Sequence, residues 1–327
     1  MKKYGKFFNV ENIQVFKLVK IYINPLRRAR KTKGNKSVTI FNLFHLRSVT
    51  FLLTSLCFVQ TILQAQSVNV YKIAHRGGFV NSDVPENTIA SLNQAIQKNY
   101  SHVEVDVRMT MDDVLICFHD ENLKRMTGFD KKVSEMKRVE IHEMCLRDSD
   151  QKIPTLREFL AHCKNQIRVM VDIKGCAYDQ IGKYSDKLFR LLEQNNLDKD
   201  CLILINKSPT DIQLEIANQF KGKCKISWRG SYNELSNLIA TSPDSRLYFY
   251  VFNHAEDFSS KNVALFKALG LSVIVSVNTA HYQLDLAQKK GSAHVKEMLR
   301  IGVNGIQLDA VYEPVFRRET SRLTKMN

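Results

Sequence analysis

The chain has 327 residues, 44% hydrophobic and 25% charged, an ordinary globular composition. Its net charge of +15 would suit a nucleic-acid binder, but residues 1–47 hold twelve of the 48 Lys/Arg against the single acid Glu11. That segment carries +11 and leaves only +4 on residues 48–327, which argues against a polyanion-binding body and against a nucleic-acid partner.

The basic segment runs into RSVTFLLTSLCFVQTILQAQS, residues 47–67. Val49 to Leu63 is uncharged and mostly apolar, with Arg47 before it and Leu63-Gln64-Ala65 as a cleavage tripeptide. A spanning helix needs about 20 residues, whereas a run of this length suits a signal-peptide core. Residues 1–66 are therefore expected to form a basic extension with a signal peptide, and residues 67–327 the functional domain. The expected location is the periplasm or the cell exterior. The alternative is an uncleaved anchor with its basic tail inside, which would confine membrane contact to residues 1–65. The 46 residues upstream of Arg47 exceed a usual charged leader, so the expected translation start lies near residues 43–47. Leu56 before Cys57 is too large for a lipobox. The six cysteines of the body show no zinc spacing. Cys117 and Cys201 lie in apolar runs and read as buried hydrophobes.

From residue 69, β-rich runs alternate with helical stretches. The runs are residues 69–75, 102–107, 167–173, 201–206, 224–228, 247–253, 271–277 and 305–309. Near-continuous apolar strands between helices indicate a covered parallel sheet, and eight in about 250 residues predict a (β/α)8 barrel, the TIM-barrel architecture. A doubly wound open sheet is the alternative, but no G-x-G-x-x-G follows the first strand. VLICFHD (114–120) comes too soon after residues 102–107 for a parallel crossover, so it predicts a small hairpin insertion after the second strand. A two-residue loop, Asp112-Asp113, would set Asp106 opposite His119. Further on, Thr155 and Glu158 have capping-box spacing before an apolar helix face. The polar C-terminus from Phe316 onward is expected to fray.

Barrel chemistry collects where strands end. Those ends carry His75 and Arg76, Glu104 and Asp106, His119 and Asp120, then Asp172 and Lys174. Glu104 and Asp106, spaced i, i+2, leave one face of their strand roughly 6.5–7 Å apart. Two carboxylates there repel and raise each other's pKa, a penalty that a hard divalent cation such as Ca²⁺ or Mg²⁺ removes. Asp172 is a natural third ligand. Simple pairing of Glu104 and Asp106 with Arg76, Arg108 and Lys174 is the competing reading. Two histidines beside an acidic cluster, with Arg76 and Lys174 to balance anionic charge, fit acid–base work on a phosphodiester.

The segments AHRGG, PENT, VEVDVRMTMDDVLICFHD, IPTL and VDIKG, in this order and spacing, resemble the glycerophosphodiester phosphodiesterase family. The resemblance covers residues 72–175 and continues more weakly through VIVSVN and GVNGIQLD to about residue 314. It implies a barrel similar to that of phosphatidylinositol-specific phospholipase C. It also implies metal-dependent hydrolysis of a small glycerophosphodiester to glycerol 3-phosphate and an alcohol. By position, Glu104, Asp106 and Asp172 match the metal ligands, and His75 and His119 the acid–base pair. Arg76, Lys174 and Glu86 match residues around the phosphate. The chain departs from the family in having Asp172 where glutamate is usual. It also carries Leu308-Asp309-Ala310-Val311 in place of T-D-x-P, and Asn206-Lys207 in place of S-F. Both of these last changes fall on the substrate side of the barrel. A lipid-cleaving barrel would need an apolar patch at its mouth, for which Trp228, Phe249 and Tyr250 are candidates that read better as core. A barrel that binds a diester without turnover is the third reading.

Overall fold

Eight parallel strands close on themselves. In the computed structural model, which describes residues 70–81, 83–174, 178–205, 210–241 and 247–326, the strands are β1 (Tyr71–Ala74), β2 (His102–Met109), β3 (Leu115–Cys117), β4 (Arg168–Ile173), β5 (Leu202–Leu204), β6 (Lys225–Trp228), β7 (Tyr248–His254), β8 (Ser272–Val277) and β9 (Gly305–Leu308). Their order is β1-β9-β8-β7-β6-β5-β4-β2-β3, and the additional β1–β2 pairing closes the ring. All pairings in the ring are parallel, and only β3 is antiparallel to its neighbour β2. This is the expected (β/α)8 barrel, and the open-sheet alternative falls. The described residues belong to one compact unit, Val68–Asn327. The basic extension, the expected signal peptide and Asn206-Lys207 lie outside the described residues.

The apolar runs divide by alternation between two cores. Outward positions such as Val103, Val105, Val169, Val171 and Val275 pack under the helices. Inward positions Ile73, Met170, Leu202, Leu204, Tyr250, Phe252 and Ile274 fill the barrel. The Tyr250 hydroxyl donates to the Ile203 carbonyl at 2.8 Å, so this plug leaves no orphaned phenol. Helix Leu156–Cys163 starts as its capping box predicts, with Thr155 Oγ1 accepting from the Glu158 backbone N–H at 3.2 Å.

Three expectations are corrected. In the hairpin Val107 pairs with Cys117 and Met109 with Leu115, so Asp106 lies opposite Phe118, one residue short of His119. The loop is Met111-Asp112-Asp113, closed by Thr110 N–H to the Val114 carbonyl at 3.0 Å. Asp113 sits at φ 60°, the left-handed residue that a three-residue hairpin loop needs. The insertion is also larger than a hairpin. It continues through short helices Lys124–Thr127 and Arg138–His142 and has its own core around Ile116, Phe118, Leu123 and Ile141. Second, the C-terminus is helical over Glu313–Met326, anchored by Val315, Phe316 and Leu323 against the main core. Third, Trp228 and Tyr250 are buried as expected, but Phe249 is 47% exposed. Phe249 lies near the N-terminal strand ends with His102 and Lys225, so it cannot serve an apolar barrel mouth.

Candidate active site

The loop after β1 is shaped by close approach. Gly77 (φ 82°) and Gly78 (φ 152°) carry the chain against the segment that follows Pro85. A Cβ on Gly77 would meet Asn87 Cα at 2.4 Å, and one on Gly78 would meet the Ser91 carbonyl oxygen at 2.1 Å. Only glycine fits such a passage. The PENT segment then distributes its side chains. Glu86 Oε2 accepts from Arg76 Nη1 at 2.7 Å, Asn87 Nδ2 donates to Asp106 Oδ2 at 2.9 Å, and Thr88 caps helix Ile89–Gln97. Asn87 Oδ1 also accepts from the Asp106 backbone N–H at 3.1 Å.

Inside the open end of the barrel, the apolar plug gives way to three carboxylates. Glu104 and Asp106 continue the inward face of β2. Asp172 follows Met170 on the inward face of β4, in register with Asp106. One oxygen from each of Glu104, Asp106 and Asp172 lies within 4.8 Å of the other two, and the residues are 1%, 1% and 6% exposed. Of the alternative pairings, Lys174 is realised: its Nζ lies 2.8 Å from Asp172 and 3.5 Å from Asp106. The Arg76 backbone N–H, not its guanidinium, donates to Glu104 Oε2 at 2.6 Å. Arg108 Nε turns to the His119 carbonyl. Lys174 is thus the cation in direct contact with these buried acids, with the Arg229 charge also acting on Asp172. Burial first, then the Asp106 and Asp172 charges, pushes Glu104 well above the ordinary carboxylate range. Burial, with Asp106 adding to it, pushes Asp172 up to about 6. Burial works the same way on Asp106, but the Lys174 ammonium chiefly holds that carboxyl low.

The residues fit a hard divalent cation. Asp172 Oδ1 is buried with no hydrogen-bond partner, and the donor set is all oxygen, as Ca²⁺ or Mg²⁺ requires. Such orphaned buried acceptors are costly and call for a ligand.

The two histidines lie beside this triad, both acting on the Asp106 carboxylate. His75 Nδ1 donates to Asp309 Oδ1 at 2.6 Å, and its Nε2 accepts from Asn278 Nδ2 at 3.2 Å. Asp309 Oδ2 is held by the Thr279 N–H and hydroxyl at 2.6 and 2.7 Å. The His75 pairing pulls the Asp309 carboxyl down to about 2 against the effect of burial. His119 Nδ1 donates to Asp120 Oδ1 at 2.7 Å, and its Nε2 lies 3.4 Å from Arg76 Nη2. Burial lowers the His119 pKa, with Asp106 and Asp120 opposing it. Both rings are thus held as Nδ1–H tautomers by a carboxylate, with Nε2 of His75 turned to Asn278 and Nε2 of His119 toward Arg76. All nine residues singled out in the sequence, Asp120 and Glu86 included, come together. His75, Arg76, Glu86, Thr279 and Val311 border a cleft of about 290 Å³.

Four polar residues were given no site role by sequence reasoning, although Asp309 stood in the segment matching T-D-x-P and Asn87 in PENT. Asp309 and Asn278 flank His75 but lie more than 200 positions away in the chain, and Asn87 and Arg125 serve through other side chains. For Asp309 and Asn278 the available signal was their place just after β9 and β8, the rule that had found the other strand-end residues.

A family model, the glycerophosphoryl diester phosphodiesterase family, matches residues 75–313. Among curated proteins, glycerophosphodiester phosphodiesterase 1 of Homo sapiens is 36% identical over 115 residues, covering 32% of this chain and 34% of that protein. Lysophospholipase D GDPD1 of Homo sapiens is 32% identical over 114 residues, covering 31% of this chain and 35% of its own length. The chain thus spans about a third of the length of these relatives. A solved glycerophosphodiester phosphodiesterase from Parabacteroides distasonis superposes with a TM-score of 0.61 at 21% identity, over 78% of this chain and 98% of that one, a likeness of fold. With the family's motifs converging at the open end of its barrel and the family model spanning most of its length, the chain belongs to the glycerophosphoryl diester phosphodiesterase family.

Proposed function

We propose that this protein hydrolyses glycerophosphodiesters to glycerol 3-phosphate and an alcohol, using a divalent cation, Ca²⁺ or Mg²⁺, and histidine acid–base catalysis. The observation that carries the reading is the convergence of three buried carboxylates beside two carboxylate-backed imidazoles and Arg76. Glu104, Asp106 and Asp172 would hold the cation. When bound there, a cation stabilises negative charge developing at the phosphoryl oxygen. Arg76, whose buried Nε has no protein partner, and Lys174 balance the phosphate charge. Nε2 of one histidine takes a proton from the nucleophile, either water or the substrate's glycerol 2-hydroxyl. The other histidine, protonated, delivers a proton to the departing alkoxide. Asp309 and Asp120 each stabilise the imidazolium that this cycle requires.

A lipid substrate is the second reading. Val80, Ala280, Ala310 and Val311 give the cleft beside His75 an apolar wall, and a relative carries the name lysophospholipase D. The uncharged run Val49–Leu63 behind Arg47 supports export as part of the proposal.

The test is glycerol 3-phosphate release by the full chain from glycerophosphocholine and glycerophosphoethanolamine, in EDTA and then with Ca²⁺ or Mg²⁺. Lysophosphatidylcholine is assayed in parallel. Cation-dependent release, reduced on the order of 10²–10⁴-fold in His119→Ala, is expected. A folded protein that cleaves only the lysolipid supports the second reading, and one that cleaves nothing overturns both.

A further inference from the structure

The insertion after β2 supplies His119 and Asp120 to the site and reaches it again through one of its short helices. Helix Lys124–Thr127 carries Arg125, whose guanidinium spans two acids. Its Nη2 donates to Glu86 Oε1 at 2.5 Å and its Nη1 to Glu86 Oε2 at 3.2 Å. On the other side, Nε donates to Asp120 Oδ2 at 2.5 Å and Nη2 to Asp120 Oδ1 at 3.0 Å. Each acid also holds a residue of the proposed machinery, Glu86 binding Arg76 and Asp120 binding His119. Arg76 Nη2 lies 3.4 Å from His119 Nε2, which closes the ring Arg76–Glu86–Arg125–Asp120–His119.

We propose that Arg125 is a positioning residue: by clamping Glu86 and Asp120 together it fixes the distance and angle between Arg76 and His119. The inference rests on the phosphodiesterase reading for its consequence and on the ring's geometry for its existence. The clamp requires a planar fork. Arg125 is the one member that grips two carboxylates bidentately, which a lysine ammonium cannot reproduce. Its side chain is 45% exposed, so it contributes little as a lone surface ion pair. Its role lies in the alignment it imposes. Without the clamp, Glu86 and Asp120 each keep one partner, but nothing fixes the two pairs relative to each other. Asp120 would then be left to His119 alone, a change that favours the imidazolium.

The experiment compares Arg125→Ala, Arg125→Lys, Asp120→Asn and the Arg125→Ala/Asp120→Asn double variant, each checked for native circular dichroism. The expected result is a kcat loss of about 10–100-fold in Arg125→Ala. KM should change far less, Arg125→Lys should recover the loss only in part, and the double variant should be no worse than the worse single one. Full additivity between Arg125 and Asp120, or an unchanged kcat, would overturn the proposal. Should Arg125→Ala fail to fold, Arg125→Lys alone carries the test, with a measurable kcat loss expected and wild-type turnover overturning the clamp. An NMR titration of the His119 ring in the same variants separates this proposal from the hydrolase reading. An upward shift of the His119 pKa in Arg125→Ala supports the clamp even if wild-type protein cleaves no diester, and an unmoved titration refutes it even if the wild type is active.

Discussion

The histidines show how far a single side chain is specified by its neighbours. His75 and His119 use the same device, Nδ1–H to a carboxylate and Nε2 into the site, yet their carboxylates have different origins. Asp120 is adjacent in sequence, whereas Asp309 arrives from the end of β9. Asp309 is held at both oxygens, by His75 and by Thr279, so it fixes the ring's tautomer as well as its angle. Asp309→Asn would place an amide donor where an acceptor is needed, and the His75 ring would be driven toward the opposite tautomer. The expected outcome is a kcat loss of about 100-fold or more with little change in KM. Steady-state kinetics read the split. A loss confined to KM would mean that Asp309 acts on substrate binding rather than on His75.

Among the elements, the strands were legible and the connections less so. Parallel strands covered on both faces read as unbroken apolar runs, which is why eight strand positions could be read from sequence. Glu104, Asp106 and Asp172 were legible because a charge inside such a run has to be explained. The hairpin register was not, because a three-residue loop with Asp113 at positive φ is indistinguishable in sequence from a two-residue one. The final helix was hidden because only Val315, Phe316 and Leu323 mark its buried side within a polar stretch. Asn278 and Asp309 became neighbours of His75 only when β1, β8 and β9 met around the ring. The β1 loop yields a prediction at this scale. In Gly78→Ala the added Cβ would overlap the Ser91 carbonyl and the Leu92 nitrogen, 2.1 and 2.6 Å away, at the start of helix Ile89–Gln97. Backbone must move, so a destabilisation of about 2–4 kcal/mol is expected. Gly270→Ala is also at positive φ, but with nothing within 4 Å of the added Cβ. It should cost only about 1 kcal/mol. Urea unfolding of both variants measures the difference. Equal costs would mean that backbone conformation, not the close passage, fixes Gly78.

The whole barrel has two chemically opposite ends. The open end concentrates carboxylates, and the opposite end keeps His102, the one buried histidine among the described residues, neutral. His102, 2% exposed at the start of β2, packs at a tilt against Tyr71 with ring centroids 4.7 Å apart and bonds the Ser101 hydroxyl through Nδ1 at 3.0 Å. Burial first, then the Arg168 and Lys225 charges, drives its pKa from 6.5 down to about 3. Below pH 6.5 the unfolded chain binds a proton at this position that the folded chain refuses until about pH 3. Protonation therefore favours the unfolded state, and stability from this group is intact above pH 6.5 and lost as pH falls through that window. The slope amounts to about 1.4 kcal/mol per pH unit. Replacing His102 by Gln removes the titrating group while keeping a polar side chain beside Ser101. The variant starts less stable at pH 7, where the packing of the ring on Tyr71 is missed, but its stability falls less steeply with acid than that of the wild type. Urea melts at pH 4, 5, 6 and 7 give both curves, and the gap between them should narrow as pH falls. Parallel curves would mean that His102 accepts its proton in the fold, with Asp200 outweighing burial and the two cations, and that acid sensitivity originates at the carboxylate end instead.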